Sequence, residues 1–330
     1  MLKGIFILRA DSFSDIYGPV QDEIQRLVNI GLPPQTAEEV TQNLEVLRDI
    51  DLLFTGWGGP RLDRAFLQAA PNLQAVFYGG GTVYPIITPE FWEKGIPITS
   101  AAVANAVPVA EYTLSQILFC LKGGWHYTES IKRDKQYPPR QHFPGNYQST
   151  VGLISLGLIG RRVCELLRNF DLHVLAYDPY VDPKVARDLS VELCPLDEIF
   201  RRANVVSVHT PWLPETEGLI TGEHFAVMQP NAAFINTARG AVVRENEMIA
   251  ILEQRQDLIA VLDVTYPEPP VADSPLFTLP NVVLTPHIAG SLGREARRLG
   301  ETMLEELSRY VHGEPFRWRV SPMQARARSS

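Results

Sequence analysis

The ten residues VGLISLGLIG, 151–160, constrain this chain more than any other stretch. An apolar run breaks at Ser155, glycines stand at 157 and 160, and the helical stretch GRRVCELLRNF begins at once. A strand that turns tightly into a helix through two glycines belongs in a layered fold of β-α units. Elsewhere, short apolar runs such as IFIL (5–8), DLLFT (51–55) and LQAVFY (73–78) alternate with stretches of helical period. One of these is VQDEIQRLV, with Val20, Ile24, Leu27 and Val28 on one face. That alternation predicts an α/β protein with parallel sheets covered by helices on both faces.

From Val107 the chain changes character. VPVAEYTLSQILFCL sets Ala110, Leu114, Ile117, Leu118 and Leu121 on one stripe, which predicts a long buried helix with Pro108 in its first turn. Six further apolar runs follow (VGLISL, HVLAY, VVSVH, AAFIN, IAVLDV and NVVLTPH) and predict a second, doubly wound sheet. After Gly290 a run of helical period leads back to the first domain. A length of 330 residues exceeds what one core usually supports, so two domains are expected.

A net charge of −8 opposes general affinity for nucleic acid or anionic membrane. Arg317, Arg319, Arg326 and Arg328 are a local exception, read as a solvated, partly disordered end. Cys120, Cys164 and Cys194 lack zinc-site spacing and sit in apolar surroundings, as buried inert thiols of a reducing compartment would. The apolar run 4–8 is too short for a secretory signal and no run reaches membrane-spanning length, so a cytoplasmic protein is expected.

In a dinucleotide-binding turn the first glycine makes the bend, the second admits the pyrophosphate, and the third lets the helix pack on its strand. Gly157 and Gly160 fill the last two roles, and Ser155 departs at the first. Serine at positive φ costs on the order of 1–3 kcal/mol; in a β or bridge conformation it costs little and its hydroxyl could reach a phosphate oxygen. The strand HVLAY ends in Asp178, 18 residues beyond Gly160, where a carboxylate can accept from both hydroxyls of an adenosine ribose. It would repel a 2′-phosphate, and Pro179 and Tyr180 follow rather than arginine, so NAD is predicted over NADP.

Three more stretches sit where later strands end: INTARG (235–240), DVTYPEPP (263–270) and TPHIAG (285–290). Arg239 offers a fork suited to a carboxylate or keto acid. His287 can exchange a proton with a substrate hydroxyl near neutral pH. Glu268, within reach of that imidazole, would fix its tautomer. Singly, each has a bland reading as a solvated arginine, a core histidine or a surface glutamate. An ordered Arg, Glu and His on successive strand ends instead suits hydride transfer to a 2-keto acid.

These stretches, with NAVPVAE (105–111), YDP, VHTPWLPETEGLI (208–220) and MQPNAAFINTARG in the same order, resemble the D-isomer-specific 2-hydroxyacid dehydrogenase family over most of the chain. The resemblance implies two Rossmann-like doubly wound domains: a flavodoxin-like substrate domain of residues 1–106 and 293–330, and an inserted NAD-binding domain of residues 107–292. It implies that Arg239 binds the substrate carboxylate and carbonyl, with His287 the general acid/base and Glu268 its partner. Leu158 and Ile159 would offer amides to the pyrophosphate. His209, Thr210, Pro211, Thr216, Thr237 and Ala238 would line the cofactor crevice, and Asp263 would meet the carboxamide near Ala289 and Gly290.

The family's substrate loop, usually Gly-Ala-Gly or Gly-Val-Gly followed closely by an aspartate or asparagine, corresponds to YGGGTVYP, with Gly80 and Gly81 in place and Thr82 and Val83 after them; its amides would hold the substrate carboxylate. Trp57 has the sequence position to reach the same cleft or to serve as a core aromatic. The absence of a basic cluster beside that loop in the sequence favours an unphosphorylated acid. The resemblance also implies a homodimer through the helix at 108–121. The family includes NAD-sensing transcriptional corepressors, so a partner-binding sensor is the alternative function.

Overall fold

The structure, a computed structural model, describes residues 1–328; Ser329 and Ser330, where the expected substrate domain ends, lie outside the described residues. The strands are β1 (Lys3–Ile7), β2 (Asn29–Ile30), β3 (Leu52–Thr55), β4 (Ala75–Tyr78), β5 (Ile98–Ser100), β6 (Thr150–Ile154), β7 (His173–Tyr177), β8 (Glu192–Leu193), β9 (Val205–Val208), β10 (Ala233–Asn236), β11 (Ile259–Leu262) and β12 (Val282–Leu284). They build two sheets, in the orders β2-β1-β3-β4-β5 and β12-β11-β10-β9-β6-β7-β8. Every ladder within them is parallel. Each sheet centres a compact unit, the first made of residues 1–106 and 291–328, the second of residues 107–290.

Parallel strands covered on both faces must be apolar on both faces, which is why these runs show no polar alternation. In the first unit Ile5, Ile7, Leu53, Val76 and Tyr78 point into one cluster with Val40, Leu67 and Phe91. Phe6, Leu52, Phe54 and Phe77 point into the other, against Leu299, Met303 and Leu307 of the helix Arg297–Val311. The Phe54 and Phe77 rings stack at 4.9 Å. Burying each such side chain contributes roughly 1.5–3 kcal/mol. The second sheet repeats the pattern, with Ile154, Val206, Val208, Phe234 and Leu262 on one face and Val151, Leu153, Val205, Ile235 and Val261 on the other.

In the second unit the chain steps outward from β6 to β7 and β8, then returns to β9 on the other flank of β6. That reversal leaves a crevice beyond the carboxyl ends of β6 and β9, where open α/β sheets bind their ligands.

Several expectations are corrected. The long helix spans Ala102–Leu121, so Pro108 lies inside it rather than in its first turn and forfeits the bond that an N–H would have made four residues back. Burial of Ala104, Ala106, Val109 and Ala110 holds the helix across that gap. The two-residue strands β2 and β8 escaped the sequence reading. Cys120 and Cys164 are buried, but Cys194 is half-buried. The arginine-bearing tail is ordered over its described residues. The carboxylate of fully buried Glu306 accepts from Thr99 Oγ1 (2.8 Å) and from the amides of Arg317 and Trp318 (both 3.1 Å). Val320 then donates to the Ile98 carbonyl at 2.8 Å, and Ala325 is buried in the first unit's core. Among the described residues no helix is long and apolar enough to cross a membrane.

Candidate active site

Ser155 has φ +79°, the left-handed conformation, at a cost on the order of 1–2 kcal/mol. Its amide donates to the Tyr177 carbonyl at 2.8 Å and its hydroxyl lies 3.1 Å from Thr210 Oγ1, so that hydroxyl ties β6 to the end of β9. Thr210 Oγ1 also donates to the Ile154 carbonyl. Gly160 answers a packing demand: a Cβ there would meet the Ser155 carbonyl oxygen at 2.1 Å. Around Gly157 nothing lies within 4 Å of where a Cβ would stand, and the helix Leu158–Leu167 begins there without a side-chain cap. Its first amides therefore face open space at the positive end of the helix dipole.

The Asp178 carboxylate just beyond β7, followed by Pro179, is aimed by two backbone donors, Leu156 N–H at 2.8 Å and Tyr180 N–H at 2.9 Å. His209 is buried, and burial pushes its pKa down to about 3, so the ring is neutral. Its Nε2 lies 3.2 Å from Ser207 Oγ, while Nδ1 has no partner among the described residues. An open helix terminus, a positioned carboxylate and an orphaned ring nitrogen fit a bound dinucleotide. Thr216 Oγ1 donates to the Pro211 carbonyl at 2.6 Å and accepts from Leu213 N–H, folding the loop after β9. Thr237 Oγ1 meets Thr113 Oγ1 at 3.1 Å beside buried Ala238.

The Arg, Glu and His stretches are brought together. His287 Nδ1 lies 2.6 Å from Glu268 Oε1, with side chains 38% and 21% exposed. Burial lowers the Arg239 pKa from its usual value while the Glu268 carboxylate raises it, so all three groups share one electrostatic neighbourhood. The guanidinium stays charged, and its Nη1 donates to the Ala238 carbonyl.

Contacts that the sequence reading did not name set this geometry. Asn236, 1% exposed, accepts from Ala238 N–H and donates to the Arg239 carbonyl, an Asx turn that an asparagine at a strand end signals. Gly240 lets the turn press on the next one, since a Cβ there would stand 2.0 Å from the Thr265 carbonyl carbon. Asp263 accepts from Thr285 Oγ1 and Ile288 N–H through Oδ1 and from Ala289 N–H through Oδ2. It thereby fastens the turn carrying His287, Ala289 and Gly290 to the end of β11. Tyr112 Oη reaches the same Thr285 hydroxyl at 3.1 Å.

In the first unit the glycine loop leaves β4. A Cβ on Gly80 would meet Tyr78 Cε1 at 2.7 Å and Trp57 Nε1 at 3.3 Å, so Trp57 flanks the loop while its ring packs on the core. Gly81 faces the Asn105 amide. Among the described residues the Gly81 and Thr82 N–H groups find no protein acceptor, whereas Gly79 and Gly80 donate to Thr55 and Tyr78 carbonyls.

A doubly wound sheet with a glycine turn, a carboxylate at the second strand and an Arg-Glu-His cluster defines a dehydrogenase-type nucleotide-binding domain. Residues 114–289 match the family model described as D-isomer specific 2-hydroxyacid dehydrogenase, NAD binding domain, and the chain belongs to that family. It is similar to the D-3-phosphoglycerate dehydrogenase of Methanocaldococcus jannaschii, 32% identical over 299 residues covering 89% of this chain and 56% of that one. The Mycobacterium tuberculosis protein of the same name is 34% identical over 77% of this chain and 48% of its own. The chain thus spans about half the length of these curated relatives. In fold it resembles a D-isomer specific 2-hydroxyacid dehydrogenase from Lactobacillus delbrueckii ssp. bulgaricus in its NAD-complexed form, with TM-score 0.80, 21% identity and coverage of 97% of this chain and 100% of that one.

Proposed function

We propose that the protein is an NAD-dependent oxidoreductase interconverting a small D-2-hydroxy acid and its 2-keto acid. The observation that carries this reading is the 2.6 Å contact of His287 with Glu268, with Arg239 beside that carboxylate. These groups stand at strand ends of the sheet that also carries Gly157 and Asp178. The amides of Leu158 and Ile159 hold the pyrophosphate, Asp178 accepts from the ribose hydroxyls, and the walls come from Ser155, Pro179, His209, Thr210, Pro211, Thr216, Thr237 and Ala238. Asp263, whose Oδ2 accepts from Ala289 N–H, meets the carboxamide beside Ala289 and Gly290.

When bound, the cofactor supplies or accepts the hydride at the substrate's second carbon. Glu268 accepts from His287 Nδ1, which leaves Nε2 to deliver a proton to the keto oxygen during reduction and to remove it from the hydroxyl during oxidation. The Arg239 guanidinium binds the substrate and offsets negative charge growing on that oxygen. In the glycine loop the free amides of Gly81 and Thr82, with Gly80 and Trp57 alongside, hold the carboxylate. Positioned acid/base help of this kind contributes about 10²- to 10⁴-fold.

The relatives' names support a hydroxy-acid substrate, and the intact triplet favours turnover over a sensor. We place a second copy against the helix Ala102–Leu121, where Phe119 is 41% exposed. His287→Ala tests the mechanism: turnover is lost while NADH titrated by fluorescence binds within about twofold of wild type, since no cofactor contact is assigned to the imidazole. A variant retaining turnover removes the imidazole from the reaction.

A further inference from the structure

Two adjacent residues of the long helix Ala102–Leu121 touch two catalytic turns. Tyr112 Oη lies 3.1 Å from Thr285 Oγ1, and Thr113 Oγ1 lies 3.1 Å from Thr237 Oγ1. The spacing repeats: Thr285 stands two residues before His287, and Thr237 two residues before Arg239. All these residues belong to the second unit. Thr237 and Thr285 are the first residues beyond β10 and β12, which are not neighbours, because β11 runs between them. One helix therefore reaches two strand ends that no ladder joins directly.

Each threonine sits inside the turn it anchors. Thr237 lies between Asn236 and Ala238, whose N–H donates to the asparagine side chain at 3.0 Å, and the same side chain donates to the Arg239 carbonyl at 3.0 Å. Thr285 gives its hydroxyl proton to Asp263 Oδ1 at 2.6 Å, and its carbonyl accepts from His287 N–H at 3.0 Å. The Thr285 hydroxyl oxygen is then an acceptor, and Tyr112 is its donor. Burial raises the Tyr112 phenol above its ordinary value, so the phenol keeps the proton it donates. His287 has φ +55°, a left-handed conformation that a histidine holds only where its surroundings over-determine it. Thr113 is fully buried, where a hydroxyl left without a partner is costly. The helix itself is fixed by Ala110, Ile117 and Leu121, packed in one cluster with Leu153, Ile235 and Val261.

We infer that Tyr112 and Thr113 are positioning residues for the reaction: through Thr285 and Thr237 they set His287 and Arg239 at the separation that one substrate bridges. This rests on the dehydrogenase reading and adds to it two residues that act through others. The two contacts serve different steps. The Thr113 hydroxyl orients the turn of the group that binds the acid, and the Tyr112 hydroxyl orients the turn of the group that moves the proton.

Steady-state kinetics on a keto acid, together with amide hydrogen exchange, test the inference. Thr113→Val should raise KM for the acid about three- to tenfold with a smaller fall in kcat, and Thr113→Ser should restore it. Tyr112→Phe should lower kcat about three- to tenfold and leave KM within about twofold. In both variants NADH should bind within about threefold of wild type by fluorescence titration, because the helix terminus at Gly157 and the Asp178 carboxylate are untouched. Exchange reads the two contacts without turnover. Ala238 N–H should exchange about three- to tenfold faster in Thr113→Val, and Ile288 and Ala289 N–H in Tyr112→Phe, each variant leaving the other turn as it was. A loss of thermal stability with both kinetic constants unchanged, or faster exchange that does not separate by turn, overturns the inference. Absence of wild-type turnover on every keto acid with that exchange pattern intact would instead sink the dehydrogenase reading, and the inference with it.

Discussion

Gly240→Ala isolates the part of the account that depends most on tertiary geometry. The added Cβ would stand 2.0 Å from the Thr265 carbonyl carbon, 2.2 Å from its oxygen and 2.6 Å from its Cα. To reach ordinary contact at 3.4 Å the two turns must part by about 1.4 Å. Neither has slack, because β10 and β11 are locked in register from Ala233 opposite Ile259 to Asn236 opposite Leu262. Arg239 precedes the glycine and Glu268 lies three residues beyond Thr265, so the movement separates the guanidinium from the Glu-His pair. A misplacement of about 1 Å costs roughly 10²-fold in rate, and overpacking costs about 1–3 kcal/mol. We expect kcat/KM to fall about 10²-fold and the melting temperature to drop by several degrees, with NADH affinity falling much less, because Gly157 and Asp178 lie on other strands and only Thr237, Ala238 and Asp263 sit on the displaced turns. Steady-state kinetics, a thermal melt and NADH titration read the three quantities. Activity within about threefold of wild type with an unshifted melt would refute the reasoning.

Asp178→Ala removes the ribose acceptor together with the partner of two amides, so NADH should bind about tenfold or more weakly and the preference over NADPH should narrow; fluorescence titration with both cofactors reads it. Ser155→Gly relieves the positive φ but loses the Thr210 contact and gains unfolded-state entropy, so stability should stay within about 1 kcal/mol of wild type by denaturant titration. Burial pushes the Cys120 and Cys164 thiols up to about 12, leaving almost no thiolate at mildly alkaline pH. A thiol-reactive disulfide reagent should therefore modify at most Cys194 in the native protein, and rapid reaction of more than one thiol would contradict the packing described.

Buried parallel strands were legible because burial on both faces leaves an unbroken apolar run, as in β4 and β11. The two-residue β8 carries Glu192 and Leu193 at a sheet edge and offers no such pattern. The Arg-Glu-His stretches were legible as residue types after strands, whereas what joins them was not. The room at Gly240, the Asx turn of Asn236 and the Asp263 clasp exist only once two strand ends meet. Ser155 was visible as a departure, but its φ and its Thr210 partner depend on β9. The tail misled in one respect for a related reason: Arg317, Arg319 and Arg326 are exposed as expected, but the end read as partly disordered, while its order depends on which glutamate of the helix Arg297–Val311 faces inward. Glu306 does, and nothing local distinguishes it from Glu305.

The central claim, that Arg239, Glu268 and His287 serve hydride transfer between NAD and a 2-hydroxy acid, is tested most directly by following NADH absorbance while the purified protein meets a series of 2-keto acids, with NADPH in parallel. The account predicts turnover on at least one acid, NADH preferred. Tight NADH binding with no turnover on any acid would contradict it.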